Sequence, residues 1–74
     1  MDDENKAVLN IRNFGLNLYR IRNAHKITVE RFAEMLDVSS RIIYDWEAGK
    51  KFPTFERAIN IANILGVTLD SILC

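Results

Sequence analysis

Residues 38 to 53 read VSSRIIYDWEAGKKFP, and the two faces of this stretch constrain everything around it. Ser39 carries a side-chain oxygen that can accept from the free backbone N–H groups of a helix start. Gly49 can take the left-handed conformation that ends a helix, so the pattern predicts a helix over residues 40 to 48. With residues placed 100° apart, Ile43, Trp46 and Glu47 fall on one side, whereas Arg41, Asp45 and Ala48 fall opposite, flanked by Tyr44 and Ile42. The first side belongs to a core, Trp46 above all. Glu47 on that side is costly unless it is paired. Arg22, from an earlier segment, is its natural partner.

Working outward, the chain shows helical periodicity and no strand pattern. Phe14, Leu18 and Ile21, with Ile11, recur at three- and four-residue spacing, which predicts a helix over about 13 to 25 that could begin as early as residue 6; His25 ends it. Thr28 caps a second helix running to residue 36, with Phe32, Ala33 and Leu36 on its buried side and Asp37 at its stop. Pro53 and Thr54 introduce a fourth, in which Phe55, Ala58, Ile59, Ala62 and Leu65 are spaced for burial and Gly66 is the terminator. Thr68 caps a last short helix carrying Leu69, Ile72 and Leu73. The reading is all-α, a compact five-helix bundle over residues 11–74, preceded by an acidic N-terminal tail or helix extension over residues 1–10. The segments 28 to 36 and 40 to 48, joined by a short link, have the dimensions of a helix-turn-helix.

Composition narrows the classes. Of the 74 residues, 49% are hydrophobic and 27% charged, a globular balance that argues against wholesale disorder. No apolar run approaches the roughly 20 residues that cross a bilayer, and the acidic start MDDENK is unlike a secretory signal, so a cytoplasmic protein is expected. The single cysteine, Cys74, can form no internal disulfide, and one histidine, His25, cannot build a metal site. Neither a nucleophile with a partnered histidine nor a glycine-rich phosphate loop is present, so no enzyme and no cofactor is expected. The formal net charge is zero, where nucleic-acid-binding domains are commonly basic. Its distribution matters more than its sum. Asp2, Asp3 and Glu4 place −3 at the start, and the body that follows is modestly basic.

The run IRNAHKITVERFAEMLDVSSRIIYDWEAGKKFP, followed by FERAINIANILGVTLDSIL, resembles the phage repressor and Cro-type helix-turn-helix domains of bacterial and phage regulators, the xenobiotic-response-element-like group. The resemblance covers about residues 11 to 73. It rests on the ordered set Arg22, Ala33, Val38, Ile43, Trp46, Glu47, Gly49, Pro53, Ala62, Leu65, Gly66, Val67, Leu69 and Leu73. It implies a lambda-repressor-like fold, with Arg22 and Glu47 as the structural ion pair joining the first helix to the third. It also implies that the third helix lies in the major groove of double-stranded DNA, with Ser40, Arg41, Tyr44 and Asp45 toward the base edges. Arg41 would donate to guanine O6 and N7, Asp45 would accept from a cytosine amine, and Ile42 would meet a thymine methyl. Lys50 and Lys51 would contact phosphates, as would the N–H groups at the helix start near Thr28. The resemblance further implies a homodimer, for which the apolar last helix around Leu69, Ile72 and Leu73 is the candidate surface; neither a membrane nor a small-molecule ligand is implied. Two positions depart from the pattern. Val29 stands where a backbone-clamping glutamine is frequent, and Asp45 where glutamine, lysine or asparagine is common.

Each of these residues has a plainer role open to it. Arg41 and Asp45, four apart, can neutralise each other on a wetted helix; Tyr44 can be solvated; Lys50 and Lys51 suit a helix C-terminus through its dipole. An exposed Ile42 fits a protein contact as well as a methyl group. The competing class is therefore a protein-interaction module on the same scaffold, such as an antitoxin-like or regulator-partner protein, favoured by the zero net charge and by Val29.

Overall fold

The computed structural model describes residues 11–73; the expected tail over residues 1–10 and Cys74 lie outside the described residues. Five helices and no strand occur among the described residues: α1 (Ile11–Ala24), α2 (Val29–Leu36), α3 (Ser40–Glu47), α4 (Phe55–Leu65) and α5 (Leu69–Leu73).

Local chemistry sets the helix starts. Thr28, Ser39 and Thr54 are extended, and their hydroxyls accept from the N–H groups of Arg31, Ile42 and Arg57 at 3.0, 3.3 and 3.1 Å. Thr68 accepts from Ser71 N–H at 3.2 Å. Each satisfies a donor that the first turn leaves open.

The helix ends share one device. After α1, α2, α3 and α4 a residue of positive φ is followed by one whose N–H reaches back five residues, the paired-bond ending in which a left-handed residue closes the last turn. The left-handed residues are Lys26 (φ 59°), Asp37 (φ 58°), Gly49 (φ 76°) and Gly66 (φ 69°). The returning bonds run from Ile27 to Arg22, Val38 to Ala33, Lys50 to Asp45 and Val67 to Ala62, at 2.9 to 3.1 Å. Two of the four ends thus hold a non-glycine residue in a conformation that costs L residues roughly 1–2 kcal/mol.

Helix α1 packs on α3 and α5, α2 on α3 and α4, and α4 on α5. Phe14, Leu18, Phe32, Ile43, Trp46, Ile61, Leu65 and Ile72 make up the centre of the core, with Ile21, Ile42, Val38, Phe52, Leu69 and Leu73 half-buried around it. Phe14 meets Phe52 edge to face, with ring centroids 4.8 Å apart, which fixes the loop after α3 to the first helix.

Two expectations fail here, the buried set of α4 and the exposure of Ile42. On α4 the buried set is Ala58, Ile61, Ala62 and Leu65, whereas Phe55 and Ile59 are exposed, Phe55 at 64%. Both flanks of the Ala58–Ala62–Leu65 stripe are apolar, and the neighbour decides which is covered. Arg57, on the Ile61 flank, donates to the Leu36 carbonyl at 2.9 Å, so α2 lies on that side. On α5, Ile72 is fully buried and belongs to the monomer core, whereas Leu69 and Leu73 pack against that core and stay half-buried. Ile42, expected to be exposed, is half-buried against the core.

Candidate nucleic-acid interface

Helix α3 is held at its C-terminal end. Gly15 of α1 sits against it so closely that a Cβ there would lie 2.4 Å from the Trp46 carbonyl oxygen and 2.7 Å from that of Glu47. Glycine in mid-helix costs roughly 0.5–1 kcal/mol relative to alanine. Here it permits backbone to meet backbone.

Seven residues further along α1, Arg22 reaches the same end. Its Nε donates to Glu47 Oε2 at 2.7 Å, its Nη2 to Glu47 Oε1 at 3.1 Å, and its Nη1 to the Ile27 carbonyl at 2.6 Å. Both side chains are largely buried, 7% and 9% exposed. The Glu47 hydrogen bonds hold the Arg22 guanidinium above its ordinary pKa, against burial, which works the other way. Tyr19 adds its ring face 5.7 Å from the guanidinium carbon.

With Ile43 and Trp46 buried, the opposite face of α3 turns outward. Arg41, Tyr44, Asp45, Ala48 and Lys50 line one open concavity. Arg41, Tyr44, Ala48, Lys50 and Lys51 are exposed and Ser40 is half-exposed. Asp45 pairs not with Arg41 but with Lys51, whose Nζ lies 3.8 Å from Asp45 Oδ2. Thr28 is exposed too, its hydroxyl occupied by the α2 cap, and it does not line the concavity.

Two structural contributors are missed in the sequence reading: Gly15, which escapes a reading by periodicity, and Val29, which falls on the same helical stripe as Phe32, Ala33 and Leu36. Gly15 registers by pattern only as a weak helix former, although an unexplained mid-helix glycine is itself a signal of close approach. Val29, which cannot clamp DNA backbone as glutamine would, is a core residue at 6% exposure.

Two short helices, the second seated on the first and presenting an outward polar face, define a helix-turn-helix module. A family model described as helix-turn-helix matches residues 18–72, and the chain belongs to that family. Among its relatives, the HTH-type transcriptional activator BcrR of Enterococcus faecalis is 37% identical over 60 residues, covering 81% of this chain and 29% of BcrR. The HTH-type transcriptional regulator YqaE of Bacillus subtilis is 35% identical over 60 residues, covering 81% of this chain and 52% of YqaE. The chain therefore spans about half or less of the length of these two relatives. The crystal structure of the clp gene regulator ClgR from Corynebacterium glutamicum superposes with a TM-score of 0.81 over 89% of this chain and 70% of that one; at 24% identity the likeness concerns the fold. No helix among the described residues is long and apolar enough to cross a membrane.

Proposed function

We propose that this chain is a sequence-specific DNA-binding transcriptional regulator, or the DNA-binding part of one, that places α3 in the major groove. One observation carries the reading: α3 is fastened at Glu47 and Trp46 while Arg41, Tyr44, Asp45 and Ala48 share an outward concavity with Lys50. A rod anchored along one side and polar along the other is what groove entry requires. In this reading Ser40, Arg41, Tyr44 and Asp45 meet base edges, with Arg41 forked onto a guanine. Lys50 and the first-turn N–H groups of α2, near Thr28, hold phosphates and set register. The names of the relatives support a regulatory role and give no support to catalysis.

The protein acts as a homodimer on paired half-sites about one helical turn apart. With Ile72 committed to the core, the exposed α4 flank carrying Phe55 and Ile59 supplies apolar surface for the partner copy, together with the half-buried Leu69 and Leu73. Capture and sequencing of bound genomic fragments at two salt concentrations tests the whole reading. Enrichment of an inverted repeat is expected; no enriched sequence at either salt would return the chain to the class of protein-interaction modules.

A further inference from the structure

The two lysines that follow α3 face different things. Gly49, at φ 76°, turns the chain so that the N–H groups of both Lys50 and Lys51 donate to the Asp45 carbonyl oxygen, at 2.9 and 3.3 Å. This shared acceptor lays the loop back along the last turn of α3. Lys51 is thereby brought over Asp45, Nζ to Oδ2 at 3.8 Å, with the aspartate side chain 17% exposed and the lysine side chain 62%. Lys50 instead lines the concavity of the reading face and has no acidic partner among the described residues.

A carboxylate on a face that approaches DNA is repelled by phosphates unless a cation neutralises it. Lys51 is the cation within ion-pair distance of that carboxylate. A lysine already neutralised by a carboxylate displaces few counterions from DNA, whereas a free one displaces about 0.9 per phosphate met.

We propose that Lys51 is a positioning residue for Asp45 and not a phosphate ligand: it holds and neutralises the carboxylate so that Asp45 can accept from a base amine, and Lys50 alone carries the loop's phosphate contact. The inference rests on the DNA-binding reading above. It replaces two equivalent lysines with a division of labour, in which a pair within the protein tunes selectivity and a neighbouring cation sets general affinity.

The test is the slope of log affinity against log salt, measured for the wild type and for Lys50→Ala, Lys51→Ala, Asp45→Asn and the double variant Asp45→Asn/Lys51→Ala. Each is titrated on the selected site, on its single-base-pair variants and on a scrambled duplex, with circular dichroism confirming that each is folded. Lys50→Ala should flatten the slope by about 0.9 on every duplex. Lys51→Ala should leave the slope within about 0.3 of the wild type and abolish the preference at one base pair. Asp45→Asn should abolish that same preference and, by freeing Lys51, steepen the slope by about 0.9, with roughly three- to eightfold tighter binding to the scrambled duplex near 0.1 M salt. The double variant should return to the wild-type slope. Equal flattening by Lys50→Ala and Lys51→Ala, or an unchanged slope in Asp45→Asn, overturns the division. A wild type that prefers no duplex overturns the DNA reading itself, and with it this one.

Discussion

Replacing Glu47 with alanine removes two of the three hydrogen bonds that Arg22 makes, the pair at 2.7 and 3.1 Å, and leaves the guanidinium with the Ile27 carbonyl. Arg22 cannot shed its charge to escape. Its pKa stands above the ordinary arginine value in the folded protein, so its stabilising contribution is complete at every pH below the unfolded value and would be lost only beyond it. The charge therefore stays, in a site where the side chain is 7% exposed and water reaches it poorly. Stranding one member of a buried ion pair costs about 3–5 kcal/mol. A domain of this size has roughly 4–11 kcal/mol of stability in total. The variant should thus melt at least about 12 °C below the wild type or fail to fold at ambient temperature.

Urea unfolding of the wild type and of Glu47→Ala, with a second pair of measurements on Arg22→Met and Arg22→Met/Glu47→Leu, separates desolvation from attraction. Removing both charges should recover most of the loss, because an apolar pair of similar size needs no compensation there. As far as Arg22 is concerned, the deficit of Glu47→Ala should be the same at pH 6 and pH 9, since arginine stays charged across that interval. A single variant within about 0.5 kcal/mol of the wild type would refute the reasoning, for it would mean that solvent replaces the carboxylate at no cost.

Gly15→Ala and Gly66→Ala isolate two different reasons for glycine. The first places a Cβ 2.4 Å from a backbone oxygen and should lower stability by about 1–3 kcal/mol despite better helix propensity; the second meets nothing within 4 Å and should cost about 1 kcal/mol through its positive φ alone, both read from urea midpoints. Ile61→Ala should cost about 2–5 kcal/mol, whereas Phe55→Ala should stay within about 0.5 kcal/mol for the isolated monomer, and the reverse ranking would overturn the orientation of α4. Arg41→Ala should weaken binding to the selected site by about 1–3 kcal/mol and relax preference at one base pair, with the thermal midpoint unchanged.

What could be read from the sequence was whatever is decided within a few residues. Thr28, Ser39 and Thr54 cap helices because a hydroxyl beside an open turn has one useful thing to do, and the glycines after α3 and α4 mark ends because left-handed backbone suits them. The outward face of α3 was legible for the same reason, since a helix with Ile43 and Trp46 on one side must show Arg41 and Tyr44 on the other. The failures all depend on a second element. Whether Phe55 or Ile61 is covered turns on where α2 lies, and periodicity on α4 carries no trace of that. The partner of Asp45, left open by the sequence, turns on how the loop after Gly49 folds back, which brings Lys51, six positions away, within 3.8 Å of its carboxylate.

The points of attachment on α3 show how so short a helix is held firmly enough for the reading role proposed for it. Gly15 meets the carbonyls of Trp46 and Glu47, Arg22 holds the Glu47 carboxylate, and a Cβ built on Gly49 would already lie 3.2 Å from Arg12 Cγ, so three levels of α1 converge on the final turn of α3 and the residue that ends it. Phe14 then pins the exit through Phe52. A rod of eight residues is about 12 Å long, so fixing its last turn and burying Ile43 leaves little freedom for Arg41, one turn earlier on the outer face. The ordering entropy of the helix is met in folding, before any ligand is bound, and a pre-ordered face loses less on association than one assembled on contact. On the proposed reading, groups behind α3 therefore bear on recognition: Gly15, Arg22 and Glu47 act by fixing the helix that carries the outward side chains.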